Sequence, residues 1–279
     1  MNAAVRLSTP VDFTDEYAAA AERLAVTVAW SDLRAPVPTC PGWSVLDLVV
    51  HVGNVHAWAA TIVETGRAAV EQNDRPSSSR PRAVSSWYAG KAEDLYQVLR
   101  GADPDSPCWN FAFGSGTKGF WPRRQLHETT IHQVDLDRTL RRQTEIEPAV
   151  GRDGVDEVLG VFLHRMHQRG HPAALDRPLA VTASDTGDSW LVSPHPRPTA
   201  TPLVPAQAVG TTSEMVPTLP PTVEHRRSSH PPAVEDRVEG PAEVLYRLLW
   251  GRADVDDADV VLSGDEQRVR GFLASRLVP

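Results

Sequence analysis

The segment Ser44-Val-Leu-Asp-Leu-Val-Val-His51 decides the fold of this chain, because it opens a long apolar helix that carries a histidine. Ser44 followed by Asp47 is typical of a capping box, in which two side chains satisfy free N–H groups of the first helical turn. The apolar pattern continues to about Thr65-Gly66, where glycine favours a helix end. We therefore predict a core helix between these two signals.

Helical periodicity continues on both sides of this segment. Apolar residues at spacings of three and four predict further helices at about residues 11–34, 84–99, 121–141 and 154–168. The prolines Pro36, Pro38 and Pro41 end the first of them and favour an extended connection. No strand alternation occurs before about residue 175, so the sequence predicts a helical bundle.

The pattern changes near Pro172, beyond which short β-branched runs predict strands. These strands are expected at residues 179–183, 189–192, 234–238 and 259–262, and helices at 242–250 and 265–277. The stretch 194–232 is rich in Pro, Thr, Ser and His, and we interpret it as a long loop or a partly disordered insertion. The chain is thus expected to form a helical domain at residues 1–172 and a small α+β domain at 173–279.

Candidate metal ligands lie on two of the predicted helices. Glu128 and His132 are four residues apart in His127-Glu-Thr-Thr-Ile-His132, a spacing that puts both side chains on one helical face. With His51 from the core helix they would form two imidazoles and one carboxylate, a common ligand set for a catalytic divalent metal with open positions. The segment differs from the His-Glu-x-x-His protease motif by one extra residue, so His127 should point away. The alternative is a solvated Glu–His pair and a hydrogen-bonded core histidine.

Composition excludes several other classes of protein. The chain has 279 residues and a net charge of −8, without the basic stripe that binding to nucleic acid requires. We find no apolar run long enough to span a bilayer and no signal peptide, which predicts a cytoplasmic protein without a membrane partner. Cys40 and Cys108 stand alone in their segments, so a disulfide framework and a thiolate zinc site are not expected. Neither cysteine is expected to act as a nucleophile.

Two stretches resemble a known family. Cys40-Pro-Gly-Trp-Ser-Val-Leu-Asp-Leu-Val-Val-His-Val-Gly53 and Glu128-Thr-Thr-Ile-His-Gln-Val-Asp135 are similar to the mycothiol-dependent maleylpyruvate isomerases, a branch of the DinB-like metalloenzymes. The resemblance implies an N-terminal DinB-like four-helix bundle followed by a small α+β C-terminal domain. The most recognisable piece of the second domain is the stretch from Gly240 to Arg252.

The same resemblance implies site residues and a cosubstrate. It assigns His51, Glu128 and His132 as ligands of zinc or another divalent metal, and mycothiol as the thiol cosubstrate. It also implies that an arginine of the C-terminal domain contributes to the active site. Arg252 and Arg247 are the candidates, and a structural role on the helix is an equal rival for each.

A metal-activated thiol could serve two reactions on an electrophilic small molecule. Attack that ends in a thioether is S-transfer, as in detoxification or small-molecule biosynthesis, and this is the leading expectation. A transient adduct that rotates and expels the thiol is cis–trans isomerisation of a maleylpyruvate-like diacid. An isomerase needs convergent arginines, whereas a transferase needs a larger and more apolar pocket. A metal-binding module without turnover is the further alternative.

Overall fold

The first half of the protein is a bundle of four helices. The structure is a computed structural model that describes residues 11–194, 219–227 and 232–279. The bundle helices are α1 (Phe13–Val28), α2 (Val45–Thr65), α3 (Pro81–Gly101) and α4 (Phe120–Thr139). Helices α1 and α2 each pack against both α3 and α4. Two short antiparallel strands, β1 (Pro107–Cys108) and β2 (Gly116–Thr117), connect α3 to α4.

Helix α2 begins and ends at the predicted signals. The Ser44 hydroxyl accepts a hydrogen bond from the Asp47 backbone N–H at 3.3 Å, and the Asp47 carboxylate accepts one from the Ser44 N–H at 3.1 Å. Gly66 ends the helix with a left-handed φ of 70°. Helix α1, by contrast, ends at Val28, earlier than predicted, because Trp30 and Ser31 donate to carbonyls only three residues back and the chain turns there.

Helix α2 is the apolar centre of the bundle. By length and composition alone, this helix could cross a membrane. The expectation that the chain has no apolar segment long enough to span a bilayer was therefore wrong. Within the fold, 56% of its most apolar window is buried. A core helix enclosed by three others meets the same criterion, so the hydropathy of α2 is explained by its place in the core.

A longer helical stretch follows the bundle. It consists of α5 (Pro148–Glu157), a π-helical segment (Val158–Phe162) and α6 (Leu163–Gln168). The stretch begins six residues before the predicted start at Gly154, because Pro148 occupies the first turn, where proline is tolerated. The π-helical segment was not predicted.

The C-terminal domain contains a five-stranded sheet of order β5-β4-β3-β6-β7. Its strands are β3 (Leu179–Ala183), β4 (Asp188–Ser193), β5 (Thr222–Arg227), β6 (Asp236–Gly240) and β7 (Val261–Ser263). Strand β3 pairs antiparallel with β4 and parallel with β6. Helices α7 (Ala242–Leu249) and α8 (Glu266–Leu273) complete the domain. The predicted fold, a helical bundle followed by a small α+β domain, is confirmed.

One element contradicts the sequence interpretation of the stretch 194–232. Strand β5 lies inside it and pairs with β4, although we had assigned the whole stretch to a loop or insertion. The sequence signal for strand β5 is weak, because most of the described side chains of the strand are polar and exposed. The alternation of apolar residues that predicts a strand is therefore absent. Residues 195–218 and 228–231 of that stretch lie outside the described part of the chain.

Helices α5 and α7 approach closely because glycine removes side chains at their contact. A Cβ atom at Gly151 would lie 2.7 Å from the backbone nitrogen of Glu243, and one at Gly154 would overlap the ring of Tyr246. The predicted domain division at residue 172 stays a prediction, and the contact shows that α5 packs against the C-terminal helices.

Candidate metal centre and its cavity

The three predicted ligand residues lie together at the centre of the bundle. His51 comes from α2, and Glu128 and His132 lie one turn apart on α4. The Glu128 Oε1 atom is 3.2 Å from His51 Nε2 and 3.3 Å from His132 Nε2. One donor atom of each residue lies within 4.8 Å of the others. Two imidazoles and one carboxylate at this separation fit a zinc-type divalent ion with positions left for further ligands.

The electrostatics of this cluster favour a bound cation. Burial alone would raise the pKa of the Glu128 carboxyl, but hydrogen bonds from His132 and His51 and the charge of Arg124 hold it well below its usual range. Burial would lower the pKa of His132, but Asp135, Cys40 and Glu128 together raise it well above the usual range. An ion bound here takes the place of the imidazole proton, because a ligating histidine must be neutral.

Asp135 orients the His132 ring. His132 Nδ1 donates to Asp135 Oδ2 at 2.9 Å, which directs the opposite nitrogen, Nε2, towards Glu128. Arg252 of the C-terminal domain donates through Nε to Asp135 Oδ1 at 2.9 Å and through Nη2 to Oδ2 at 3.1 Å. The Asp135 side chain is fully buried, so these charge-assisted bonds are shielded from water. Such a carboxylate fixes the tautomer and the ring orientation of a ligand histidine.

A cavity of about 700 Å³ opens next to these three residues. Its walls are both aromatic and cationic. The aromatic side chains that line it are Trp43, Trp58, Phe111, Phe162 and Trp250, and the arginines are Arg124, Arg165, Arg252 and Arg276. Trp43 packs directly on His51, with ring centroids 4.9 Å apart. A small molecule in this cavity would therefore contact both the cluster of His51, Glu128 and His132, here called the ligand cluster, and several guanidinium groups.

Comparison with known proteins identifies the family of the chain. Residues 14–137 match the model of the mycothiol maleylpyruvate isomerase N-terminal domain, and residues 149–271 match the model of the C-terminal domain of the same family. The chain belongs to the mycothiol-dependent maleylpyruvate isomerase family.

Solved structures agree with the family in fold. The crystal structure of the mycothiol-dependent maleylpyruvate isomerase matches with a TM-score of 0.56 at 12% identity, over 90% of this chain and 92% of that one. The crystal structure of a histidine-to-alanine mutant of that isomerase matches over the same shares at 11% identity, also with a TM-score of 0.56. At such low identity the likeness shows the fold alone. No curated protein matches the chain significantly.

In this member of the isomerase family, the two candidate arginines lie in different places. Arg252 reaches the cavity and binds Asp135, so it lies where a contribution to the site is possible. Arg247 instead pairs with Glu243 on its own helix at 2.5 Å and is not among the residues that line the cavity. A direct role for Arg247 in the site is therefore unsupported, because its guanidinium is paired with Glu243 on α7.

His127 also lies where the sequence predicted. Its Nε2 atom is 2.8 Å from Asp153 Oδ1, and its backbone carbonyl accepts a hydrogen bond from the Tyr246 hydroxyl at 3.1 Å. The ring faces α5 and α7 and not the ligand cluster. The protease motif is thus excluded by position as well as by spacing.

Cys40 is the main correction to the sequence analysis of the site. We expected no suitably placed cysteine, yet Cys40 lines the cavity and its Sγ atom lies 3.4 Å from Asp135 Oδ2 and 3.7 Å from Arg252 Nη2. The turn before α2 carries it there, since the Cys40 N–H donates to Val37 and the Trp43 N–H donates to Cys40. Cys108 behaves as expected: it is 3% exposed, and burial raises the pKa of its thiol.

Several cavity residues had no detectable signal in the sequence. Arg124 lies one turn before Glu128, and only this helical spacing could have pointed to it. Its Nη2 atom donates to Glu128 at 3.0 Å, while Nη1 forms a short ion pair with the buried Glu157. Phe111, Arg165 and Arg276 come from a loop, α6 and the last turn of the chain, so only the tertiary fold brings them together.

Proposed function

We propose that this protein is a metal-dependent enzyme that uses mycothiol to catalyse the cis–trans isomerisation of an unsaturated, carboxylate-bearing small molecule. The observation that carries the proposal is the cluster of His51, Glu128 and His132 beside a cavity lined by four arginines. An isomerase of this class must hold carboxylate groups, and convergent guanidinium groups are suited to that task. The names of the matched family and of the matched structures refer to the same reaction.

Each residue of the cluster has a defined task in this proposal. His51, Glu128 and His132 would hold the ion. A zinc-type ion with this ligand set lowers the pKa of a coordinating thiol, so that the thiolate is available at neutral pH. Asp135 keeps the His132 proton on Nδ1 and thereby keeps Nε2 directed at the cluster. Arg252 holds Asp135 ionised and in place.

The reaction itself balances without an oxidant or a reductant. The thiolate of the cosubstrate adds to a carbon of a conjugated double bond, which forms a C–S bond and moves the negative charge to the carbonyl oxygen. Rotation about the new single bond and expulsion of the thiolate restore the double bond in the other geometry. Guanidinium groups in the cavity stabilise the charge that develops and fix the carboxylate during rotation.

S-transfer is the second candidate function. The five aromatic side chains of the cavity and its volume of about 700 Å³ favour a larger and more apolar acceptor than a small diacid. The two reactions differ in their product. A stable thioether detected by mass spectrometry would indicate S-transfer, whereas an isomer of unchanged mass with full recovery of thiol would indicate isomerisation.

Metal analysis and a thiol-dependent assay test the proposal. Purified protein should hold about one divalent ion per chain, and His51→Ala and His132→Ala should each lose most of it, because a three-residue site does not tolerate the loss of one ligand. Glu128→Gln should lower turnover. The matched control is His164→Ala, which removes a histidine of α6 outside the cavity. Full metal retention in both ligand variants would exclude the metal site, and bound metal without turnover would indicate a binding module.

The cosubstrate is tested separately. Bound mycothiol should titrate well below the ~8.5 of a free cysteine thiol, and activity should require added thiol. Cys40→Ala and Cys108→Ala should keep most of the activity. Activity without added thiol that disappears in Cys40→Ala would replace this mechanism with an internal nucleophile. A reduced thiol cosubstrate and two free cysteines support a cytoplasmic location.

A further inference from the structure

The four arginines of the cavity differ in what neutralises them. Arg124 is 2% exposed and forms ion pairs with Glu157 and Glu128. Arg252 is neutralised by Asp135. Both guanidinium groups are therefore committed to carboxylates of the protein itself. A substrate carboxylate would have to compete with these internal pairs for either of them.

Arg165 has no such carboxylate. Within the described part of the chain, no acidic oxygen lies within 4.0 Å of its guanidinium, and its Nε is buried without a hydrogen-bond partner. Its Nη1 donates to the backbone carbonyl of Phe111, and the guanidinium lies 4.5 Å above the centre of the Phe111 ring. Burial and the neighbouring Arg169 lower the pKa of Arg165. An arginine remains charged even so, and a partly buried charge without a partner is costly.

The π-helical segment brings this arginine to the cavity. Glu157 and Phe162 are five residues apart, yet both contact the Arg124 guanidinium, the first by an ion pair and the second at 5.0 Å from the ring centre. One extra residue in a turn rotates all later side chains by about 100° relative to an uninterrupted α-helix. Arg165 follows that turn and lines the same cavity. Such segments occur frequently at functional sites.

The surroundings of Arg165 are flat and apolar. The Phe111 ring lies 6.0 Å from Phe162 and 6.4 Å from Trp58, measured between ring centroids. The other arginine without an acidic partner among the described residues, Arg276, is exposed to solvent and offers weaker attraction. Among the residues that the structure describes, Arg165 is thus the partly buried cation of the cavity that has no acidic partner, and it lies beside three aromatic rings.

We propose that Arg165 anchors the carboxylate of the acceptor, and that the acceptor is a planar, aryl-bearing carboxylic acid. The role of Arg165 in a reaction rests on the proposed function, whereas the binding test below does not depend on that function. The planar guanidinium can receive both oxygens of one carboxylate, while the rings of Trp58, Phe111 and Phe162 receive the flat body. Arg165 acts here as a positioning residue, because it would hold the acceptor away from the bond that changes.

Binding of trans-cinnamate and of its neutral amide, cinnamamide, to the full chain without mycothiol tests the proposal by calorimetry. Wild-type protein should bind cinnamate roughly tenfold or more tightly than cinnamamide, since a hydrogen-bonded charge contributes that much. Arg165→Gln keeps a donor for the Phe111 carbonyl but removes the charge. It should weaken cinnamate by roughly ten- to hundredfold and leave cinnamamide unchanged. Arg165→Lys should restore part of the difference.

The matched control is Arg169→Gln, which removes one positive charge from the same helical stretch outside the cavity and should weaken cinnamate binding far less than Arg165→Gln does. Equal losses for acid and amide in Arg165→Gln would show a structural role and overturn the proposal. Cinnamate binding that is no tighter than that of maleate, a small diacid, would overturn the acceptor class.

Kinetics with an electrophilic acceptor that carries its carboxylate on the aryl ring, away from the reacting double bond, give a further readout. In Arg165→Gln, KM should rise while kcat changes little, whereas a misfolded site would lower both. Arg165-dependent cinnamate binding in a protein without any thiol-dependent turnover would overturn the proposed function and leave this inference standing. Intact turnover that does not change in Arg165→Gln would overturn this inference and leave the proposed function standing.

Discussion

Replacing Asp135 by Asn should weaken metal binding by about ten- to hundredfold. The carboxylate accepts from His132 Nδ1 and from two nitrogens of Arg252, all between 2.9 and 3.1 Å. An amide of the same size has one oxygen to offer and no charge, so at least one of these donors loses its acceptor. Loss of a charge-assisted hydrogen bond costs about 1.5–3 kcal/mol, which corresponds to about ten- to hundredfold in affinity.

A competition titration against a chromophoric zinc chelator would measure this effect, with denaturant unfolding in parallel to report any loss of stability. The structure supplies a matched control. Asp153 is also a buried carboxylate that accepts from a histidine, His127, and from an arginine, Arg123, but it lies behind α4, away from the cavity. Asp153→Asn should destabilise the fold by a comparable amount and leave metal affinity unchanged.

Two outcomes would contradict the reasoning. If Asp135→Asn binds metal within twofold of wild type, the carboxylate does not set the orientation of His132. If Asp153→Asn loses as much affinity as Asp135→Asn, the loss follows from general destabilisation and not from the contact with the ligand histidine.

Two further predictions concern stability. Burial lowers the pKa of His56 from 6.5 to about 4, so the folded state binds fewer protons than the unfolded state between these values, and the free energy of unfolding should fall by about 3 kcal/mol as pH drops through them. His56→Gln should flatten this dependence in denaturant titrations, and an unchanged slope would contradict the assignment. Gly154→Ala should destabilise by about 1–3 kcal/mol because its Cβ meets the Tyr246 ring. Gly160→Ala, with open space around it, should not, and equal midpoints for both variants would refute the packing argument.

The parts of the fold with local signals were predictable. Both ends of helix α2 were predicted correctly, because a capping box marks its start and a left-handed glycine marks its end. Glu128 and His132 could be paired from helical spacing, His51 on the core helix was their candidate partner, and the family resemblance then implied all three as metal ligands. Strand β5 escaped prediction, because its pairing with β4 is made by the backbone and leaves no apolar alternation.

The remaining features of the site are consequences of tertiary structure. Cys40 contacts Asp135 across 95 residues of chain, and no local pattern encodes such a distance. The π-helical segment that positions Arg165 is likewise invisible to periodicity, since one extra residue in a turn resembles ordinary variation in an apolar face. The cavity was therefore only partly predictable: the grouping of His51, Glu128 and His132 and the candidate Arg252 were named from the sequence, whereas the aromatic walls and the other three arginines were not.

The bond between Arg252 and Asp135 spans 117 residues of chain, and this has a consequence for biosynthesis. All three candidate metal ligands leave the ribosome with the bundle, well before Arg252 is made. At about 5–20 residues per second, the delay is roughly 6–23 s. During that interval Asp135, which orients the His132 ring, lacks its guanidinium partner. The proposed metal site therefore has its full set of orienting contacts only after the C-terminal segment that carries Arg252 has been translated.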